Sequence, residues 1–364
     1  MVSTISGSQI KARLHGLDYL RGLCALGIMA YHYSSWTFGE QPASSFLGRV
    51  GIYGVAIFYI LSGQTLGYIY NSSSLFQKRN LVEFYKKRFF RIFPLLWLAT
   101  IISIILSKHF PNTIDFLLNI TGLFGLFKWD TYFATGAWSL GNELVFYLLF
   151  PLFIFLIRKH WLTLFFAFII PLAIYSYFAL HILNHNIPLA GQWHNYTNPL
   201  NQLLLFVSGV LLGSFILPNS TNSLTNYLIG VTGLVVFLLI PIQGNAIELV
   251  TGPSRFFFTG SCILLCYSFF STAPTSAILD KPLSLLGKAS YSLYLLHPIV
   301  YNLVKAIASF AIKQGVYFPA IATLCIAIPV SLAISYLSYE YFETFFIRLS
   351  HPQPKGNTTN VIPS

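Results

Sequence analysis

Charge is what this chain has least of. Only 9% of its 364 residues are charged, with ten acidic side chains against 21 Lys and Arg. Soluble domains carry about 25% charged residues, so a water-facing surface cannot be covered from this composition. Cysteine is scarce as well, and Cys24, Cys262, Cys266 and Cys325 all fall in apolar stretches. Cys262 and Cys266 share a helix face, but two thiols without accompanying histidines do not make a metal site. They read as small packing residues. The sequence has no Walker-type phosphate loop, no zinc signature and no internal repeat, and no appended soluble domain is expected. Strict period-2 alternation is missing too, which excludes a membrane β-barrel.

What is present is hydrophobic: 55% of residues are apolar and 17% aromatic, and the mean hydropathy is +0.67. Runs approaching the ~20 residues that cross a bilayer recur along the whole length. They predict spans at 17–36, 51–70, 90–107, 142–157, 161–181, 200–217, 226–243, 255–271, 289–311 and 317–341. The expected fold is an all-α integral membrane protein, a polytopic bundle of about ten transmembrane helices. It forms one domain over 1–350, and a short polar tail at 351–364 is expected to be disordered. The stretch 113–127, between Pro111 and Lys128, reads as a re-entrant or interfacial segment. The first apolar run is not a cleaved signal peptide, because polar groups interrupt it and no small-residue cleavage site follows.

Orientation follows from loop Lys and Arg. With the N-terminus inside, the inner segments collect fourteen: Lys11, Arg13, Lys78, Arg79, Lys86, Lys87, Arg88, Arg91, Arg158, Lys159, Lys281, Lys288, Arg348 and Lys355. The outer loops hold five, Arg49, Lys108, Lys128, Arg255 and Lys313, with Arg21 and Lys305 inside spans. The expectation is a bacterial inner-membrane protein with both termini cytoplasmic. The net charge of +11 then reports topology and anionic lipid headgroups, and nucleic acid is not among the expected partners.

The first span, LDYLRGLCALGIMAYHY at 17–33, places Asp18, Arg21 and His32 where charge is expensive. Arg21 and His32 are about three helical turns apart, on one face and roughly 16 Å apart along the axis. Asp18 sits one turn before Arg21 and can pair with it. A snorkelling arginine and a packed histidine would explain each residue singly. Two ionisable groups on one intramembrane face favour function.

Further polar stretches follow in order. They are the glycine-rich GIYGVAIFYILSGQTLGY (51–68), FYKKRFFRIFPLLW (84–97), WSLGNELVFYLLFP (138–151), LGKASYSLYLLHPIV (286–300) and SYLSYEYFETFF (335–346). Through these residues the chain resembles the membrane-bound acyltransferase-3 family, whose members O-acetylate bacterial polysaccharides and some small molecules. Arg21 and His32 match the family's Arg-x10-His motif. The SG of the second helix, Arg88-x-x-Arg91, the W-S-L-x-x-E box from Trp138 to Glu143 and the Y-S-x-Y-L-x-H box ending at His297 follow in sequence. In place of the family's closing Glu-x-Pro stands Glu343-Thr344-Phe345, so the end of the last helix is expected to differ. Many relatives carry a C-terminal hydrolase-like domain. None is seen here, so acceptor selection is expected to come from the membrane domain and its short loops.

The resemblance implies transfer of an acetyl group from cytoplasmic acetyl-CoA to a hydroxyl of a surface glycan, such as lipopolysaccharide O-antigen, free or lipid-linked. Such a reaction needs a base for the hydroxyl proton and a donor for the oxyanion. His32 is the expected base or a transient acyl carrier. Arg21 either orients the catalytic groups or meets donor phosphates, for which a planar guanidinium is suited. Arg88 and Arg91, with Lys86 and Lys87 beside them, are expected to bind the anionic part of acetyl-CoA. Without the resemblance, the cluster reads as a positive-inside anchor.

Glu143, next to Trp138 and Ser139, either fixes an imidazole tautomer, binds acceptor hydroxyls, or is a helix-N-terminal acid satisfied by the macrodipole. Tyr294, His297, Tyr301 and Lys305 share one helical face. His297 is therefore a supporting site residue or a core histidine bonded to a neighbouring helix. The outer loop 181–199, with His181, His185, Trp193, His194 and Tyr196, suits sugar binding or is an ordinary polar loop. No metal is expected. Two other functions remain open: a transporter or channel with intramembrane charges lining its path, or an O-acyltransferase acting on a small molecule.

The topology is directly testable. Reporter fusions at Lys78, Lys159 and Lys281 are expected to signal from the cytoplasm, and a periplasmic signal at Lys159 would invert everything after the third span.

Overall fold

The computed structural model describes residues 14–71, 75–218, 222–272 and 276–350, and all regular structure among them is helical. Lys11, Arg13, Lys355 and the polar tail 351–364 lie outside the described residues.

Ten long helices stand where the ten apolar runs were read. They are α1 (His15–Phe38), α2 (Phe46–Tyr70), α3 (Lys78–Ser107), α4 (Ala137–Lys159), α5 (Trp161–Tyr177), α6 (Pro199–Phe215), α7 (Ser223–Leu239), α8 (Gly252–Phe270), α9 (Ser290–Lys313) and α10 (Ala320–Leu337). The expected count of ten crossings is not reproduced by length and composition. Six helices are long and apolar enough to cross a membrane, α2, α3, α4, α5, α9 and α10, and a seventh is added if α6 is joined to the bent segment before it. The remaining three fall short for visible reasons. At 17 residues α7 is short. Polar side chains dilute α1 and α8, among them Arg21 and His32 in one and Arg255, Thr259, Ser261 and Ser268 in the other. Several face the inside of the bundle, where Arg255, Thr259, Ser261 and Ser268 are buried.

The stretch 113–127 forms two short helices, Thr113–Thr121 and Phe124–Phe127, rather than a span. After α10 the chain passes through a π-helical turn, Ser338–Glu343, into Thr344–Leu349. Phe345 keeps the backbone N–H that a proline would lack, so the helix continues where the family pattern would end it.

Glycine sets the tightest packing, between α2 and α6. A β-carbon on Gly63 would fall 2.1 Å from the Phe206 carbonyl oxygen, and one on Gly209 2.0 Å from that of Ile60. Gly67 and Gly213 repeat the arrangement one turn on, against the Val210 and Gln64 carbonyls at 2.4 and 2.0 Å. Small residues at this spacing let two backbones touch inside a membrane. The pairs advance together along both chains, so the two helices run parallel. By contrast α1 meets α2 antiparallel, with Gly51 under Tyr31 and Gly54 under Ile28.

A short helix, Ala277–Lys288, lies along the start of α1. Gly287 closes to backbone contact with Asp18. Asp280 accepts hydrogen bonds from the Tyr19 hydroxyl, from His15 Nδ1 at 3.1 Å and from Ser284 Oγ at 3.1 Å. The bond from Tyr19, joined by those from His15 and Ser284, holds the Asp280 carboxyl below its ordinary range.

Two arginines read as loop residues are instead buried. Arg49 lies within α2 and donates to the carbonyls of Phe237, Leu238 and Ile240 at 2.6, 2.7 and 2.8 Å. These are carbonyls that the end of α7 leaves without helical partners. Arg255 donates to Asn201 Oδ1 at 2.7 Å and lies 3.9 Å over the Tyr175 ring.

The glycine contact should be intolerant of any side chain. Gly209→Leu is expected to abolish the monodisperse peak in detergent size-exclusion chromatography. Gly260→Ala, whose β-carbon meets nothing within 4 Å, is expected to leave the peak and the melting temperature nearly unchanged.

Candidate functional site

Five of the helices contribute to one cavity, open to solvent, lined by Arg21, Ser62, Arg88, Arg91, Ser139, Glu143, Tyr147, Tyr291 and Tyr294 among others. Helical spacing explains how each element presents its share. Arg88 and Arg91 are one turn apart on α3, and Ser139, Glu143 and Tyr147 recur every four residues on α4. On α9, Tyr291 and Tyr294 are likewise three apart, and the Tyr291 hydroxyl donates to the Ile92 carbonyl at 2.7 Å, tying α9 to α3.

The cavity is positive. Arg21 pairs with Asp18 at 3.3 Å. Among the described residues neither Arg88 nor Arg91 forms an ion pair. The Arg88 guanidinium lies 5.6 Å from the Tyr147 ring centroid, and its buried Nε has no hydrogen-bond partner. An unanswered buried donor calls for an explanation, and a ligand acceptor supplies one. Glu143 is the cavity's carboxylate. It accepts from Ser62 Oγ at 2.7 Å and from the Tyr147 hydroxyl, and those two hydroxyls are 2.8 Å apart. An adjoining apolar groove of about 730 Å³ shares Arg88 and Tyr147 with the cavity.

The histidines form a second group beside it. His32 Nδ1 lies 2.8 Å from His297 Nε2, and His297 Nδ1 lies 2.8 Å from the Leu293 carbonyl oxygen. Trp36 stacks on His32 with centroids 4.9 Å apart and rings 8° from parallel. The Tyr33 hydroxyl donates to the His297 carbonyl at 2.9 Å. Tyr294 links the two groups: it lines the cavity, bonds Ser139 Oγ at 2.8 Å, and its ring centre is 6.4 Å from that of His297.

The expected residues are thus sorted. Arg21, Arg88, Arg91, Ser139, Glu143 and Tyr294 meet in the cavity, whereas Lys87 does not line it. Asp18 supports Arg21 as expected. Trp138 lies outside the cavity, packed against Tyr59, Trp193 and Tyr196. Glu143 touches neither histidine, so it fixes no imidazole tautomer, and it is not a helix-terminal acid, since α4 begins at Ala137. The partner of His32 is His297. Residues missed at the outset are Ser62, Tyr147, Tyr291 and Trp36. Three were within reach of helical arithmetic: Tyr147 is four residues from Glu143, Tyr291 three from Tyr294 and Trp36 four from His32, whereas Ser62 stands in the SG pair of the second helix.

The outer loop is largely used up internally. Trp193 Nε1 donates to the Tyr132 hydroxyl at 2.9 Å, and His194 meets Asp130 at 3.0 Å.

Comparison with known proteins follows the same residues. The family model described as an acyltransferase domain, acyltransferase-3, matches residues 14–340. O-acetyltransferase OatA of Staphylococcus aureus is 28% identical over 364 residues, an alignment covering 91% of this chain and 57% of that protein. Exopolysaccharide production protein ExoZ of Rhizobium meliloti is 29% identical over 317 residues, covering 82% of this chain and 90% of its own. Peptidoglycan O-acetyltransferase OatA of Listeria monocytogenes is 25% identical over 363 residues, covering 90% and 55%. The chain therefore spans little more than half the length of the OatA relatives. No solved structure matches it. A family match over nearly the whole chain means that this multi-pass membrane protein belongs to the acyltransferase-3 family.

Proposed function

We propose that the protein is a membrane O-acetyltransferase that moves an acetyl group from acetyl-CoA to a hydroxyl of a surface glycan, with lipopolysaccharide O-antigen as the acceptor class. The observation that carries this reading is the convergence of Arg21, Arg88 and Arg91 on one cavity, with Arg88 Nε unanswered. Three guanidiniums against one free carboxylate suit a ligand bearing several negative charges, and guanidinium forks match phosphate oxygens. The phosphates of acetyl-CoA fit that donor set. The named relatives, two O-acetyltransferases and an exopolysaccharide production protein, support a glycan acceptor.

Within this reading the arginines hold the donor and Asp18 steadies Arg21. Ser62, Glu143 and Tyr147 form a polar wall that presents hydroxyl and carboxylate groups to the ligand. The donor extends from the arginines past Tyr294 toward the histidines, where His32 receives the acceptor proton. Arg21 and His32 are about 16 Å apart along α1, so Arg21 acts on the donor and not on the reacting atoms. With the N-terminus inside, the arginine end of the cavity faces the cytoplasm, where acetyl-CoA is made, and His32 lies toward the outer face.

The deciding experiment is acetyl transfer by the purified protein in nanodiscs, using labelled acetyl-CoA and an isolated O-antigen oligosaccharide. Acetylated glycan with stoichiometric free thiol is expected, and no donor-dependent product would sink the proposal. His32→Ala should remove transfer while the folded protein remains.

On the donor side, Arg88→Ala and Arg91→Ala are each expected to raise the acetyl-CoA Kd about 10- to 100-fold, as for a lost hydrogen bond to a charged group. Lysine at either position should restore only part of it. Lys87→Ala should change nothing, because it lies outside the cavity. Arg21→Ala should raise the donor KM more than it lowers turnover at saturating donor. Unchanged calorimetric affinity in the Arg88 and Arg91 variants would return these residues to the role of membrane anchors.

A further inference from the structure

The geometry points to a chain running from the Leu293 carbonyl through His297 to His32 that fixes the His32 tautomer and places the proton-accepting lone pair on Nε2. It rests on the reading of His32 as the base and adds how that base is prepared. Donor and acceptor valence fixes where the protons sit. A carbonyl oxygen only accepts, so His297 Nδ1, 2.8 Å from Leu293 O, carries a proton. In a neutral imidazole the other nitrogen is then an acceptor. His297 Nε2 faces His32 Nδ1 at 2.8 Å, so His32 Nδ1 carries the proton in that bond. The lone pair of His32 is left on Nε2.

Ring geometry supports this assignment. The two imidazole centroids are 5.1 Å apart and the rings 16° from coplanar. A 2.8 Å contact plus two ring radii of about 1.2 Å gives that separation when the rings meet edge to edge, which puts the hydrogen bond in the plane of the acceptor's lone pair. Packing restrains both rings: His297 is 1% exposed, and Trp36 covers one face of His32.

During transfer the acceptor's O–H bond breaks and its proton moves to His32 Nε2. The oxygen bonds the acyl carbon, the thioester C–S bond breaks, and the leaving thiolate takes the proton from Nε2. Throughout, His32 Nδ1–H stays donated to His297 Nε2, which stabilises the imidazolium while it exists. The logic is that of a base oriented by a third group. The orienting atom here is a neutral nitrogen, itself set by a backbone carbonyl. His297 is a positioning residue, since it acts through His32.

The test joins kinetics to a direct view of the tautomer. In ¹⁵N NMR of the histidine-labelled protein at neutral pH, His32, identified by its loss in His32→Ala, should show a protonated Nδ1 and an unprotonated Nε2. His297→Leu should cost about 10²-fold or more in kcat with the acetyl-CoA Kd unchanged, and should return His32 to the Nε2–H form. His297→Gln, whose side-chain oxygen can stand in for Nε2, should recover a large part of kcat. A wild-type His32 protonated on Nε2, or a His297→Leu enzyme with normal kcat, overturns the inference. Should His297→Leu fail to fold, the wild-type spectrum decides alone. An active His32→Ala enzyme is a different result, because it removes the proposed base and with it the reading on which this inference rests.

Discussion

A guanidinium inside a bilayer must find oxygen atoms or water, because an uncompensated one costs ~2.5–3.5 kcal/mol at the centre of a span even on insertion scales. That constraint organises this bundle. Its arginines are placed in two ways, Arg49 and Arg255 buried and the others at a cavity. Arg49 is answered by backbone carbonyls and Arg255 Nη2 by Asn201, with Arg255 Nη1 left without a partner, and the two join helix ends and loops into one frame. Arg21, Arg88 and Arg91 instead turn into a shared cavity, where one buried donor stays open. The first group sits within the frame, and the second lines the cavity.

The frame must also bring polar groups on separate helices within reach of each other. The glycine contact between α2 and α6 does this for the cavity wall. Gly63 lets the backbones of α2 and α6 touch, and Ser62, one residue earlier, points from another side of α2 to Glu143 on α4. One turn of α2 therefore serves packing and site together. On α9, Tyr291 is tied to α3, Tyr294 reaches Ser139 and His297 meets His32, so a single helix connects the arginine-lined cavity and the histidine pair.

This layout separates the arginines from the imidazole that we propose as the base. The arginines gather toward the start of α1, and the histidines sit two to three turns farther along it. Arginine close to the imidazole would oppose formation of an imidazolium, whereas distance and a neutral partner in His297 do not. Tyr294 lies between the two groups, and its hydroxyl is engaged with Ser139 and Gly136 at 2.8 and 3.0 Å.

Composition alone required a membrane protein, because so few charges cannot cover a soluble surface. Apolar runs located ten helices, and helical periodicity put Arg88 with Arg91, and Tyr294 with His297, on common faces. Periodicity acts within one helix, and there it was a sufficient guide. Which faces meet depends on packing between helices that are distant in sequence, and there local spacing is silent. Arg49 and Arg255 read as loop residues until α7, α6 and α5 closed around them. Glu143 stood open between an imidazole partner, a binder of acceptor hydroxyls and a helix-terminal acid until α2 placed Ser62 against it and α9 brought His297 to His32. Lys87 belonged to a basic cluster in sequence, but a helix turns 100° per residue, and only Arg88 and Arg91 turn inward. Sequence determined the solvent, the helices and the inventory of reactive groups. Tertiary structure decided which of them touch, because contacts between helices are set by where small residues let backbones approach.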